Sequence, residues 1–334
     1  MLKKRKILII QTAFLGDCIL TLPLINTVKK CLSAHVSVLV TPAFKDVFKN
    51  SPSVDKVIVY DKKGADRGPA NFLNLVKIIK NEKFEQAFLP QRSFRSGLIA
   101  FLSGIPKRIA FKRGGAKFLA TERCEYDWDK HEVERLLNLA RLAGCKKPVK
   151  EFSLIPDNNL IRKYKDLFSN HSTKKVLGIC VQSEWKTKQW PVERYKNLIK
   201  EVWKDFTIVI IGKNHEKWDE DVINLTGKTS VKELLAAVSC LDILLSNDTG
   251  VMHIGAAFKK PVIAIFGPTV PGMGFSPYGN MHKIIEVPLN CRPCSLHGPQ
   301  RCPLKHFKCM RDIEIKRIKK DLYDKVKELK TDGK

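Results

Sequence analysis

Three short stretches carry side chains whose types and spacing could do chemistry. The first is "TAFLGDCILTLP", residues 12–23, where one carboxylate, Asp17, follows a glycine shortly after the apolar run Ile7-Leu8-Ile9-Ile10. A glycine-containing turn between strand and helix suits a phosphate, and an anion is what a phosphate site avoids. Asp17 is therefore either a helix cap or a group that handles a proton. The second stretch is "LLSNDTGVMHIGAAFKKPVIAIFGPT", residues 244–269, where a strand ends in Asn247-Asp248-Thr249-Gly250 and a helix begins with His253 in its first turn. Asp or Thr can cap such a helix; Gly250 also lets a ligand approach the free amides, and the positive end of the helix favours a diphosphate. In the third, Cys291, Cys294, Cys302 and Cys309 crowd into nineteen residues. One Cys-x-x-Cys half of a zinc site is present, but the six residues between Cys302 and Cys309 are loose for a second half. A reduced or locally paired structural segment is expected there, and no metal site.

These stretches need elements to position them. Apolar strand-like runs alternate with helix-length amphipathic stretches, from "KILII" through "VSVLVT", "DKVIVYD" and "QAFLP" to "KRIAF" and "EVERLLNLARLAG", whose Leu136, Leu139 and Leu142 fall at helical spacing. That alternation predicts an α/β fold with a parallel sheet covered by helices. "PDNNLIRKYKDLFSNHSTKK" breaks the pattern with polar and turn-forming residues, and "VLGICV" starts it again through "FTIVIIG", "DILLSN" and "PVIAIFG". The 334 residues exceed the roughly 250–300 at which one core stops growing, so two doubly wound domains are expected. They are placed at 1–160 and 161–312, followed by a Lys-rich helix over 313–334 that packs back toward the N-terminal domain. Two such sheets set their ligand crevices opposite each other across a cleft.

Composition bounds the partners. The net charge is +26, with 60 Lys+Arg against 34 Asp+Glu, and the N-terminal half is the more basic. Nucleic acid, anionic lipid or a phosphorylated substrate could be the counterpart. No helix-turn-helix, RNA-binding motif or basic stripe with interleaved aromatics accompanies the charge, so nucleic acid is not expected. No apolar run approaches the ~18 residues of a membrane span. The basic start leads into only four consecutive apolar residues, which makes a first strand and not a signal peptide. The protein is read as cytoplasmic, with its ten cysteines reduced.

The segments "SNDTGVMHIGAAFKKPVIAIFGPT", "GDCILTLP" and "TKQWPVERY", with "QRSFRSGLIAFLSGIPKRIAF", "HEVERLLNLARLAG" and "CRPCSLHGPQRCPLKHFKCMRDI", resemble the lipopolysaccharide heptosyltransferase family. That family comprises inverting glycosyltransferases of the two-domain GT-B fold, and the resemblance covers nearly the whole chain. It implies that Asp17 is the base that takes the acceptor hydroxyl's proton. It implies a donor site in which Lys188 neutralises the nucleotide phosphates and Thr187 hydrogen-bonds a phosphate. Glu216 would bind the ribose hydroxyls and Asp248 would face the sugar. Thr249 and Gly250 would offer amides to the diphosphate, with His253 against it. The implied donor is ADP-heptose, although another nucleotide-sugar on the same fold is the alternative. An epimerase on this architecture would need further acid/base residues that are not found.

The implied acceptor is the anionic lipopolysaccharide inner core, on a lipid at the inner face of the inner membrane. Arg92, Arg95, Arg108 and Arg113, with Lys107 and Lys112, are the candidates to grip it, Arg being suited to bidentate contact. Peripheral attachment to an anionic membrane surface would follow from the same charge. Lys188 and a helix terminus can carry the charge of the leaving diphosphate, so metal-independent transfer without a cofactor is expected.

Overall fold

The computed structural model describes residues 4–213, 217–218 and 221–331. The chain divides into two compact units, Met1–Ile155 and Pro156–Lys334, a boundary five residues before the expected one. In the first unit the strands are β1 Lys6–Ile10, β2 His35–Val40, β3 Lys56–Val59, β4 Gln86–Phe88, β5 Lys107–Phe111 and β6 Glu122–Cys124. They form one parallel sheet in the order β3-β2-β1-β4-β5-β6. In the second unit β7 Lys175–Cys180, β8 Phe206–Ile211, β9 Ile223–Asn224, β10 Ile243–Asn247, β11 Val262–Phe266 and β12 Lys283–Glu286 form the order β12-β11-β10-β7-β8-β9. Counted from its own first strand, the second sheet repeats the order of the first. Both are Rossmann-like, as the sequence pattern implied.

Both faces of a parallel sheet are covered by helices, so its strands read as unbroken apolar runs. Ile7 to Ile10 are wholly buried, and every residue of "FTIVII" in β8 is buried. The helix Leu15–Cys31 that follows β1 is buried on every side from Cys18 to Val28. Polar contacts pin its far half. Thr27 exchanges hydrogen bonds with the Val149 backbone, and Asn26 donates to the Glu151 carbonyl. The helix Glu132–Leu142 packs beside it, and a Cys31–Cys145 disulfide joins the pair at their C-terminal ends. The expectation of reduced cysteines is corrected for these two: helix packing brings their Cα atoms to 5.8 Å.

The stretch read as polar and turn-forming is instead a helix, Asn158–His171, whose N-cap Asp157 accepts from the Asn159 and Leu160 amides. Tyr164 and Phe168 form its buried stripe. The C-terminal helix, Ile315–Thr331, buries Ile318 and Leu322 in the core of the second unit, with Leu198, Val202 and Phe206. Its apolar residues at three- and four-residue steps thus join the core of that unit.

Candidate functional site

In a sheet of this order the ligand crevice forms at the carboxyl ends of the strands where the chain reverses its direction of winding, beside β1 and β4 in the first unit and β7 and β10 in the second. Asp17 lies one turn after β1. It is the third residue of the helix Leu15–Cys31, and its Oδ2 accepts the Phe14 amide at 3.2 Å, as a helix-start carboxylate should. Its own carbonyl accepts the Thr21 hydroxyl at 2.7 Å, and Gln11 donates to that hydroxyl from the strand side. The Asp17 backbone is thereby tied to the strand end and its carboxylate to the helix start.

Around it stands a group that sequence reading missed. Glu132 begins the neighbouring helix, and its Oε2 accepts from the Tyr126 hydroxyl at 2.5 Å and from Arg135 at 3.1 Å. Arg135 is wholly buried and also donates to the Asp127 and Trp128 carbonyls. A buried guanidinium stays charged, so Glu132 is its carboxylate counter-ion. Burial raises the Glu132 pKa, with the charge of Asp17 adding to the rise against the pull of Tyr126 and Arg135. Burial likewise pushes up the Cys18 thiol, again with a contribution from Asp17.

Two of the four arginines assigned to the acceptor converge here. Arg92 lies 4.3 Å from the Tyr126 ring centre and 5.7 Å from that of Trp128, while Arg113 lies 5.0 Å from Trp128. The loop between them explains "RGG". Gly114 has φ +84°, and a Cβ there would sit 2.5 Å from the Arg92 carbonyl oxygen; the Gly115 amide donates to that same carbonyl. Arg95 stands apart beside Tyr60 at 3.5 Å. Lys62 next to it has a lowered pKa, from burial first and then from the charges of Lys63 and Arg95. Arg108 is turned inward to the Leu119, Ile105 and Pro106 carbonyls, which makes it a strut of the fold. Lys107 pairs with Glu122 and Lys112 with Glu125.

In the second unit Asp248 follows β10 and Lys188 ends the short turn Lys186–Lys188 after β7. Their ion pair is 2.6 Å long and buried, and Thr269 donates to the same Asp248 oxygen at 2.7 Å. Asn247 sets the spacing. Its side chain accepts the Trp190 amide and the Tyr195 hydroxyl and donates to the Cys180 carbonyl, tying β10, β7 and the Lys188 turn together. Burial raises the Tyr195 pKa well above the ordinary value, so this hydroxyl remains a donor. Thr249 precedes the helix Gly250–Ala257 with extended backbone and no capping bond from its side chain. Gly255 presses that helix on β10, since a Cβ there would lie 2.6 Å from Leu244. His253 is buried in the first turn. Together these groups can present a cation and helix-start amides to an anion. Glu216 lies outside the described residues.

Thr187 is buried with its hydroxyl donated to the Pro299 carbonyl, which anchors the turn. The cysteine-rich segment therefore supports the lysine. Gly298, at φ +80°, places its Cα hydrogen where a Cβ would crowd the Lys188 stem at 3.3 Å, and His297 stacks on Trp185. Arg292 fastens the segment by donating to the Phe266, Gly267, Thr269 and Val287 carbonyls. Cys291, Cys294, Cys302 and Cys309 carry free thiols, and burial pushes Cys309 up to about 11. Among the described residues no group of three His, Cys, Asp or Glu side chains could hold a metal ion.

Sequence reading passed over Arg292, Thr269 and the Tyr126–Glu132–Arg135 group. Tyr126 and Trp128 alternate in "EYDWD", a period-two signal that could have flagged them; nothing in "CRPC" marks a buried arginine.

A family model described as glycosyltransferase family 9 (heptosyltransferase) matches residues 72–302. The lipopolysaccharide heptosyltransferase 2 of Salmonella typhimurium is 26% identical over 292 residues, which is 80% of this chain and 84% of that protein. The lipooligosaccharide heptosyltransferase 2 of Campylobacter jejuni is 26% identical over 338 residues, or 94% and 96% of the two chains. Among solved structures, that of the Escherichia coli ADP-heptose lps heptosyltransferase II superposes with a TM-score of 0.80 at 21% identity, over 97% of this chain and 99% of that one. At that identity the likeness establishes the fold, GT-B.

Proposed function

The chain belongs to glycosyltransferase family 9, and from that premise we propose that it transfers heptose from ADP-heptose to the anionic inner core of lipopolysaccharide, with inversion and without a metal. The observation that carries this reading is the pairing of unlike chemistry with like topology. One switch point holds a carboxylate beside the Glu132–Arg135 pair, and the other a lysine beside a helix start. Relatives named as lipopolysaccharide and lipooligosaccharide heptosyltransferases support the substrate class.

The acceptor hydroxyl loses its proton to the Asp17 carboxylate as its oxygen attacks the anomeric carbon. The bond from that carbon to the diphosphate oxygen breaks, and ADP leaves with the electron pair. Lys188 releases Asp248 to meet the growing charge, while the Gly250 end of its helix supplies amides. Asp248, held by Thr269, is left to accept from a sugar hydroxyl. Glu216 keeps the ribose role that the resemblance implies. Arg92 and Arg113 grip acceptor phosphate or carboxylate, with Arg95 as an outer contact. The acceptor is a lipid, so the protein works at the inner face of the inner membrane; among the described residues no helix is long and apolar enough to cross it.

The test is ADP release from ADP-heptose and a core-truncated lipopolysaccharide in the presence of EDTA. Release by the wild type and none by Asp17→Ala is the expected outcome. EDTA-sensitive release removes the metal-independent reading, and full activity of Asp17→Ala removes the base.

A further inference from the structure

The first unit carries an apolar surface that the transfer reaction does not use. Phe118 is 72% exposed, Phe94 52%, Phe101 48% and Leu102 41%. Four such side chains in one neighbourhood call for a covering. They are contiguous because the helix Phe94–Leu102 lies along the turn Gly115–Phe118. A Cβ on Gly115 would touch Phe94 at 2.6 Å, Gly97 abuts Ala116, and Arg108 bridges the Phe101 ring to the Leu119 carbonyl. Phe94 and Phe101, seven residues apart, share one face of the helix.

The surroundings are cationic. Between residues 107 and 125 stand Lys107, Arg108, Lys112, Arg113, Lys117 and Arg123 against Glu122 and Glu125; with Lys107 and Lys112 paired to those two acids and Arg108 turned inward, Arg113, Lys117 and Arg123 carry the surplus. Lys112, Lys117 and Arg123, with Thr121 and Phe118, line an open depression of about 580 Å³. Lys117 covers the Phe118 ring at 4.9 Å, so charge and aromatic group emerge together. Aromatic side chains ringed by Lys and Arg match a bilayer interface, where the rings enter the acyl boundary and the cations meet headgroup phosphates. Polynucleotide would satisfy the charge but would leave Leu102 and Phe101 uncovered.

We propose that this face, with Phe118, Phe101 and Leu102 at its centre and the basic depression at its edge, seats the first unit on an anionic lipid bilayer. The choice of a bilayer rests on the reading of a lipid-anchored acceptor; the surface itself does not. It would hold Arg92 and Arg113, which flank the same glycine loop, close to the headgroup plane.

The full chain is sedimented with vesicles free of lipopolysaccharide, either zwitterionic alone or containing roughly 30% anionic phosphatidylglycerol, at low salt. Expected is capture by the anionic vesicles, lost as salt shortens the screening length. The variant Lys117→Glu/Phe118→Ser should reduce capture about fivefold or more, from one reversed charge and one lost anchor. Lys320→Glu, on the exposed side of the C-terminal helix, should bind as the wild type does. Wild-type protein left in the supernatant, or full capture of the 117/118 variant, overturns the proposal. Displacement by inorganic phosphate at matched ionic strength would make it a phosphate site, and by a polynucleotide a nucleic-acid site; either also overturns it. Transfer activity is assayed separately, so loss of ADP release with intact vesicle capture counts against the proposed function alone.

Discussion

The two units share one strand order and differ in what that order displays. After β1 stands an acid whose charge acts on Glu132, the partner of Tyr126, with Arg92 and Arg113 stacked on Tyr126 and Trp128; after β7 and β10 stands a buried lysine–aspartate pair braced by Thr269 and Asn247. The fold therefore supplies a place and not a chemistry. The first unit suits a group that must keep basicity and reach, and the second a cation held ready for an anion.

The sharpest way to break the contrast is Asp17→Asn. It should lower kcat by roughly 10²–10⁴-fold, the usual worth of a general base, while ADP binding by calorimetry is unchanged. A loss of ADP binding would mean that the two sites do not divide the labour. Lys188→Ala should act on the other side, leaving Asp248 buried without its partner. Breaking such a pair costs about 3–5 kcal/mol in chemical unfolding, and ADP affinity should fall with it. The apolar pair Lys188→Met/Asp248→Leu should recover most of the stability and none of the affinity, separating the structural role from the binding role.

Gly114→Ala probes the arginine side. A side chain at φ +84° costs about 1–2 kcal/mol and collides with the Arg92 backbone. Acceptor KM should rise roughly tenfold with donor KM unchanged, since a positioning contact would be lost and the chemical step spared.

Glu132→Gln sharpens the comparison further. Coupling between carboxylates is reciprocal: if Asp17 raises Glu132, the Glu132 charge raises Asp17. Removing it should move the acidic limb of the kcat/KM profile to lower pH, with Glu132→Asp restoring part of the shift. An unmoved limb would leave Glu132 a counter-ion to Arg135 only.

The smallest effects should come from the cap of the helix Val231–Ser239, which Ser230→Ala removes at a cost of about 1 kcal/mol with kinetics intact. The Glu233 carboxylate of that cap has a lowered pKa, through the Ser230 amide and then Lys163. Its contribution is present above the ordinary carboxylate range and lost as pH falls through the lowered value. Glu233→Gln should therefore match the wild type in acid and fall a few tenths of a kcal/mol below it at pH 7.

Both sheets were legible because strands buried on two faces leave long apolar runs, as "KILII" and "FTIVII" do. The helix Asn158–His171 was not, because its stripe is only Tyr164 and Phe168 among polar residues and its cap begins "DNN" like a turn. Asp17, Lys188 and Asp248 stand out where a strand gives way to a loop, a position visible in one dimension. Thr187 and Arg108 have protein partners that the sequence does not show, for a shared reason. A hydroxyl or a guanidinium is assigned to a ligand until the carbonyl that receives it, Pro299 or Leu119, is seen beside it.

The sequence by itself determined the two α/β units, their apolar strands and the strand ends that carry the polar groups, because period and turn chemistry are local. Tertiary structure alone decided that Cys31 meets Cys145, that Arg92 and Arg113 share Trp128, that Glu132 couples to Asp17, and that the cysteine-rich segment props Lys188. Each joins residues that only strand order and helix packing bring together, and no local periodicity encodes which distant side chain fills a given space.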